Sequence, residues 1–408
     1  MRCAALVHQG PDYRLPIRTT VYVTAGEDHF TLAGDLNVGN CDVAGAPPVR
    51  DAWLEDSPAP QFVGDWTGAR FGAAAVAAVT GHAAQYGASA PLFLYYALHD
   101  THGPIEVPQR YQDMYPNVSL ARQRTFYGMA SAVDEAVANL TAALHSTGMW
   151  NNSLVVVMTD NGSPVTVGGS NAPLRGNKGS NWEGGVRVPA FITGGALPQS
   201  RRGVTSPGLI HVVDFYSTFL SLAGIPDASD GAGPAPVASL NMWPWISGAA
   251  PSSPRTELVL DHNLYDPCVA CVDHEVTAPG ANGALIRGNY KLIVGPRGGA
   301  TSASWYGDFS PNASGVPDVD AHRACGNDSP PGGCLFDISV DAGEHVDLAS
   351  SLPSTFEAML QDFHALNVTA YHPPNDNPAD DKAGLCAAAF ASNYTARPWR
   401  ANPLPGAL

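Results

Sequence analysis

The chain has 408 residues, of which 45% are hydrophobic and 14% charged, a composition typical of globular proteins with two or three domains. Its formal net charge of −16 argues against nucleic-acid binding, because phosphate neutralisation requires clustered lysine and arginine. No apolar run approaches the roughly 18 residues of a membrane-spanning helix. These numbers do not exclude an anionic small-molecule substrate, since a local basic cluster is enough to bind one.

Sequons and cysteines favour the secretory pathway. Besides Asn161, the Asn-x-Ser/Thr sequons stand at Asn117, Asn139, Asn151, Asn312, Asn327, Asn367 and Asn393. The seven cysteines predict disulfides between loops, and their odd number leaves at least one without an internal partner. We therefore expect a secreted or lysosomal protein, although the apolar run at the N-terminus is too short for a signal peptide.

The first half of the chain predicts a βαβ unit. Residues 1–60 show no clear periodicity, and the alanine-rich stretch Trp66–His82 predicts a helix that ends before Gly87. Apolar runs at Leu92–Leu98 and Leu154–Met158 predict two buried strands, separated by an amphipathic helix at Thr125–His145. This order predicts a parallel pair of strands.

Polar residues follow both predicted strands. His99, Asp100 and His102 follow the first, and Asp160-Asn161-Gly162 follows the second. Asp, Asn and Gly favour turns, but Asp and Asn at a strand end also supply hard oxygen ligands. Because parallel strands end at one edge of a sheet, we expect these side chains to converge there.

The second half predicts shorter elements. Val186–Thr193 predicts a strand, in which Pro189 indicates either an edge position or a bulge. A short helix follows, with Asp214 as its N-cap. Its predicted apolar stripe consists of Phe215, Phe219 and Leu222.

A composition shift after residue 250 predicts a domain boundary, with an α/β domain at 1–250 and an α+β domain at 251–408. In the second domain, Gly288-Asn289 predicts a hairpin between Ala284–Ile286 and Tyr290–Val294. Cys334–Val340 predicts a strand. Leu352–Leu366 predicts a helix with an inward face of Phe356, Met359, Leu360 and Phe363.

Six segments in this order resemble the sulfatase family, most closely its arylsulfatase B type: "FLYYALHDTHGPIEVPQRY", "VVVMTDNG", "PLRGNKGSNWEGGVRVPAF", "HVVDFYSTFLSLAGI", "GNYKLIVG" and "LFDISVDAGEHVDL". The resemblance implies an alkaline-phosphatase-like α/β sheet sandwiched by helices, incomplete at the N-terminus, with a smaller antiparallel C-terminal domain. It also implies hydrolysis of sulfate esters, one calcium ion, and a formylglycine nucleophile made from cysteine. By position, Asp160 and Asn161 resemble calcium ligands, whereas His102 and Lys178 resemble catalytic residues that contact the sulfate.

Three family elements are missing from the sequence: the acidic pair near the start, the Lys-x-x-x-His element, and the nucleophile motif Cys-x-Pro/Ala-x-Arg. Cys3-Ala-Ala-Leu-Val has alanine in the third place but Val7 where arginine is required. We therefore expect a truncated sulfatase that is inactive as given and holds calcium weakly, if at all.

Two alternatives to a sulfatase stay open. The chain could be a non-catalytic, sulfate-binding glycoprotein, or a phosphoesterase of the alkaline-phosphatase superfamily that uses two metals. The expected partner is a sulfated small molecule or glycan, with no nucleic acid and no membrane span. Without a catalytic role, His102 would be a loop histidine beside Pro104, and Lys178 would be a solvated surface charge.

Overall fold

The computed structural model describes residues 64–164, 167–225, 238–263, 282–295 and 332–367, together with the backbone of four strands nearer the N-terminus. The chain divides into two compact units, Met1–Ser153 with Pro374–Leu408, and Leu154–Pro373. The predicted boundary at residue 250 stays a prediction. None of the helices in the described ranges is long and apolar enough to cross a membrane.

The first unit contains a five-stranded sheet and two long helices. Its elements are β1 (Arg2–Gln9), β2 (Thr20–Thr24), β3 (Trp53–Leu54), β4 (Ser57–Pro58), α1 (Thr67–Tyr86), β5 (Leu92–Tyr96), α2 (Gln109–Gln112) and α3 (Ala121–Ser146). The strand order is β4-β3-β2-β1-β5, and every pairing is antiparallel.

Both predicted helices of this unit are confirmed, and both are longer than the sequence pattern indicated. Helix α1 ends at Gly87, whose φ of 54° is in the left-handed region that glycine adopts without strain. Helix α3 buries Met129 and Ala132 against Trp66, Val107 and Tyr111, which form the core beneath the two helices.

The second unit contains two further sheets. Its elements are β6 (Val155–Met158), α4 (Glu183–Val186), β7 (Ala190–Thr193), α5 (Asp214–Leu222), α6 (Trp243–Ile246), β8 (Glu257–Asn263), β9 (Asn282–Arg287), β10 (Tyr290–Val294), β11 (Cys334–Asp337) and α7 (Pro353–Asn367). Strands β6 and β7 form an antiparallel ladder, and the other four form an antiparallel sheet in the order β11-β10-β9-β8.

The predicted parallel pair is wrong for the described strands. Strand β5 pairs with β1, and β6 pairs with β7, each antiparallel. Nor are the two strands buried on both faces: Phe93 and Tyr95 of β5 are exposed, and β6 is half-buried throughout. An apolar run indicates a strand but not the direction of its neighbour. The sequence therefore could not distinguish parallel from antiparallel pairing.

The hairpin and the helix of the C-terminal half match the prediction, whereas the strand predicted at Cys334–Val340 ends at Asp337 and β8 was not predicted. Gly288-Asn289 joins β9 to β10 as a two-residue hairpin, with Arg287 paired to Tyr290. Helix α7 buries Phe356, Met359 and Phe363 against one face of this sheet, where Leu285, Leu292 and Leu335 complete the core. Leu360 is half-buried at the edge of the same cluster. Cys334 is disulfide-bonded.

Helix α5 differs from its prediction in which face it buries. Its buried residues are Asp214, Ser217 and Thr218, whereas Leu222 is exposed. Asp214 is the first helical residue and not the N-cap, which is Val213. The polar face is buried because its side chains bind backbone groups of the following loop: Ser217 Oγ donates to Ser239 O at 3.3 Å, and Thr218 Oγ1 accepts from Met242 N at 2.9 Å.

Candidate functional site

The chain turns sharply at the end of β6 and presents two oxygen-bearing side chains. Asp160 is exposed and Asn161 half-buried, whereas Gly162 is buried. The Asn161 side-chain nitrogen donates to Gly162 O at 3.1 Å. Because this contact uses the amide nitrogen, the amide oxygen of Asn161 and the carboxylate of Asp160 are the atoms that the strand end offers to a cation.

Lys178 lies at the tip of a tight turn in the glycine-rich loop. Ser180 closes the turn, because its backbone N and its Oγ both donate to Asn177 O, at 3.1 and 2.7 Å. Arg175 and Asn177 on one side of the tip are buried, as is Ser180 on the other, whereas Lys178 is exposed. The loop therefore presents one cationic side chain on a buried base.

Asn171 joins the strand end to the lysine loop. Its Oδ1 accepts from Ser163 N at 2.9 Å, while its Nδ2 donates to Ser163 O at 2.7 Å and to Gly176 O at 3.1 Å. Gly162 N also donates to Gly185 O at 3.0 Å, which closes the same segment from the other side. Sequence reasoning missed Asn171, since an asparagine in a Pro- and Gly-rich loop looks like an ordinary turn residue.

His102 belongs to the first unit, and its predicted role stays a prediction that rests on the sequence resemblance. It is exposed, its Nδ1 lies 2.8 Å from Gly103 O, and its backbone N donates to His99 O at 3.0 Å. A carbonyl oxygen only accepts, so Nδ1 carries the proton in this contact. In the neutral ring Nε2 is then an acceptor, and it can deliver a proton only when the ring is doubly protonated.

Two residues before His102 lies a buried acid with a strongly altered pKa. Burial raises the pKa of Asp100 to about 7, against a backbone hydrogen bond that lowers it. Burial and the nearby Asp100 charge also raise the pKa of Tyr96. Asp100 is thus divided between its neutral and charged forms near neutral pH, which no sequence pattern indicated.

The donors at the β6 end fit calcium in kind, because a carboxylate and an amide oxygen are the hard ligands that this ion prefers. Calcium takes six to eight oxygens, however, and no group of three or more His, Cys, Asp or Glu gathers among the residues that the structure describes. Asp160 and Asn161 could supply only part of such a coordination shell, and a calcium ion here would need its other oxygens from substrate, water or other parts of the chain.

Residues 37–225 match the sulfatase family model, which covers the strand end, the lysine loop and His102. Arylsulfatase J of Mus musculus is 32% identical over 299 residues, which are 70% of this chain and 47% of that protein. Arylsulfatase A of Homo sapiens is 29% identical over 66% of this chain and 48% of its own length. N-acetylgalactosamine-6-sulfatase of Mus musculus is 32% identical over 36% of this chain and 27% of its own length.

The chain thus spans about half the length of the two arylsulfatases that it matches. These relatives support the coarser resemblance to sulfatases and not the narrower one to the arylsulfatase B type.

Solved structures share the fold. Ps i-CgsB, in complex with k-i-k-neocarrahexaose, superposes with a TM-score of 0.64 at 20% identity, over 91% of this chain and 71% of that one. The putative sulfatase yidJ from Bacteroides fragilis superposes with a TM-score of 0.52 at 16% identity, over 78% of this chain and 63% of that one. Residues 37–225 thus match the sulfatase family model, and the described fold is similar to that of solved sulfatase-like structures.

Proposed function

We propose that the segment from Asp160 to Ser180 is a sulfate-ester binding site of the sulfatase type. The observation that carries the proposal is the Asn171 link, which joins a strand end with hard oxygen ligands to a loop with an exposed lysine. A sulfate ester needs positive charge on its oxygens, and in a chain of net charge −16 that charge has to be local.

Each residue has a separate role in this proposal. Asp160 and Asn161 hold one calcium ion, which when bound would polarise the sulfate oxygens. Lys178 donates to a sulfate oxygen as a compact point charge at the end of a flexible stem. His102 has no part in the binding proposed here, because the role that the resemblance implies for it, protonation of a departing alkoxide, belongs to turnover alone.

Hydrolysis of sulfate esters is the reaction that the similarity to sulfatases suggests, and it requires a nucleophile. None of the seven cysteines lies in Cys-x-Pro/Ala-x-Arg. We therefore propose that the 408-residue chain binds a sulfated small molecule or glycan without turning it over. A secreted or lysosomal location agrees with the disulfide at Cys334 and with exposed sequons at Asn117, Asn139 and Asn151.

Calorimetric titration of the purified chain with calcium chloride and with 4-nitrocatechol sulfate tests the proposal. We expect Lys178→Ala to weaken ester binding about tenfold or more, because a charge-assisted hydrogen bond is lost. Asp160→Asn should weaken calcium binding by a similar factor, because a carboxylate ligand becomes a neutral amide. The matched controls are Arg122→Ala and Asp134→Asn on the exposed face of α3, which change charge by the same amount elsewhere.

The two ligands separate the competing functions. Release of 4-nitrocatechol by the wild-type chain would contradict binding without turnover. Equal affinity for 4-nitrophenyl phosphate, with two metal ions per chain, would favour the phosphoesterase alternative. If the controls weaken binding as much as the site variants do, or if neither ligand binds, the proposed site is wrong.

A further inference from the structure

A buried ion network lies behind the lysine loop. Lys291 of β10 is fully buried, and its Nζ is 2.8 Å from Oε1 of Glu183 and 2.9 Å from Oε1 of Glu344. Both carboxylates are buried as well, with exposed side-chain fractions of 3% and 0%. Lysine is scarce in this chain, with three residues in total (Lys178, Lys291 and Lys382), yet one of them lies in the interior.

The charges of this network balance. Two carboxylates face one ammonium, and Arg187 adds a second cation, with its NH1 3.6 Å from Oε2 of Glu183. Burial raises the pKa of Glu344, and the Glu183 charge raises it further against the opposing effect of Lys291. Removing one member therefore leaves its partner as an uncompensated buried charge.

Glu344 also holds the backbone of the loop directly. Its Oε2 accepts from Glu183 N at 2.7 Å, and its carbonyl oxygen accepts from Arg175 NH1 at 3.4 Å. The guanidinium of Arg175 lies 3.7 Å from the centre of the Trp182 ring, and Trp182 packs edge-on against Phe336 of β11. Glu344 itself has a φ of 57°, a strained conformation for a residue with a side chain, which these contacts maintain.

The turn that Glu344 holds packs against both halves of the proposed site. A Cβ on Gly184 would lie 2.5 Å from Arg175 O, and one on Gly185 would lie 2.7 Å from Asn177 O, next to Lys178. On the other side, a Cβ on Gly162 would lie 1.7 Å from Gly184 O, next to Asn161. Since backbone meets backbone with no side chain between, a shift of the turn at residues 183–185 moves both segments.

We propose that Glu344 is a positioning residue for the sulfate-ester site. It acts through Lys291 and the backbone of Glu183 on the turn at residues 183–185, which packs against both the proposed calcium ligands and the Lys178 loop. The role in ligand binding rests on the proposed function. The mechanical part, which is that Glu344 fixes the backbone of residues 175–187, stands on the contacts alone. Glu344 lies 161 residues from Glu183, so no local pattern in the sequence indicated the connection.

Amide hydrogen exchange on Glu344→Ala and Glu344→Gln tests the mechanical part. Alanine removes the acceptor for Glu183 N, and we expect amide exchange in residues 175–187 to accelerate about tenfold or more. Glutamine keeps an acceptor for that N–H and loses the charge beside Lys291. We expect it to lower global stability while leaving loop exchange near the wild-type rate. Glu357→Ala on the exposed face of α7 is the matched control and should change neither.

Ligand titrations on the same variants test the link to function. Glu344→Ala should weaken 4-nitrocatechol sulfate and calcium binding about tenfold, and Glu344→Gln should restore most of both. If Glu344→Ala does not fold, the exchange rates of Glu344→Gln decide. The proposal is overturned if amide exchange in residues 175–187 of Glu344→Gln accelerates by the same factor as exchange in all other segments. Exchange of the loop that is unchanged in Glu344→Ala also overturns it. If the wild-type chain binds neither ligand, the proposed function fails while the exchange result still decides the positioning role.

Discussion

At the residue scale, the best-satisfied carboxylate of the described chain is Asp214. Its two oxygens accept from Arg255 through both Nε and NH2, from His211 N at 2.8 Å and from Leu240 N at 3.0 Å. Burial opposes ionisation of Asp214, but the Arg255 and backbone hydrogen bonds prevail and lower its pKa. The ionised form is therefore the one that stabilises the fold.

Asp214→Asn should lower the free energy of unfolding by roughly 3 to 5 kcal/mol at pH 7, because Arg255 loses its buried partner. A lowered pKa means that the stabilisation is fully present above the ordinary carboxyl pKa of about 4 and is lost as the pH falls through the lower folded value. Denaturant unfolding at pH 7 and pH 3 measures both parts. The gap between wild type and variant should be smaller at pH 3 than at pH 7, by at most about 1 kcal/mol, and an equal gap at both pH values would contradict the assignment.

Sequence patterns predicted Asp214 as part of a helix start but not its ion pair. Likewise, Lys178 and the Asp160-Asn161 pair were assigned roles from motifs, whereas Asn171 lies outside the quoted motifs and Glu344 lies inside one without an assigned role. The difference is physical: the role of Glu344 depends on a contact with Glu183, 161 residues away, which no local pattern records.

At the scale of elements, the site depends on the backbone contact between the end of β6 and α4. Gly162 has space for hydrogen alone, because the neighbouring atom is the Gly184 carbonyl oxygen. Gly81 is an exposed residue in the middle of helix α1. No atom lies within 4 Å of the position that an added methyl group would take there, so Gly81 has space for a side chain.

These two glycines should respond in opposite directions to alanine. Gly162→Ala should destabilise the protein by about 3 kcal/mol, since a backbone has to move, whereas Gly81→Ala should stabilise it by up to about 1 kcal/mol through helix propensity. Thermal unfolding followed by circular dichroism measures both changes. Equal tolerance of alanine at the two positions would show that the β6–α4 contact is looser than the structure has it.

Hydrophobic periodicity located most elements of the described chain, including α3, α7 and the hairpin at Gly288-Asn289. It did not predict how strands pair, because the apolar pattern of Leu154–Met158 is the same for a parallel and an antiparallel neighbour. It also misplaced the buried face of α5, where Ser217 and Thr218 are covered by hydrogen bonds and not by apolar packing.

At the scale of the whole molecule, strong negative charge coexists with exposed apolar side chains. In the described sheet of the first unit β5 is an edge strand, and its Phe93 and Tyr95 are 45% and 54% exposed. An apolar edge strand favours association with other chains, and like charge opposes it.

Self-association should therefore be greatest where the net charge vanishes, near the sequence pI of 5.1. Turbidity measured from pH 4 to pH 8 should peak close to pH 5, and the double variant Phe93→Ser/Tyr95→Ser should lower that peak. Met114→Ser, which removes an apolar side chain that is 60% exposed outside the sheet, is the control and should leave it unchanged. A peak insensitive to the double variant would exclude β5 as the contact.

The unequal exposure of Lys178 and Lys291 has a practical consequence for chemical modification. An acylating reagent such as an N-hydroxysuccinimide ester attacks amines that water reaches, and the interior ammonium held between two carboxylates is shielded from it. Of the two lysines in the described ranges, the loop-tip amine is the one open to attachment of a fluorophore. The proposed anion site thus contains its own attachment point for a reporter group.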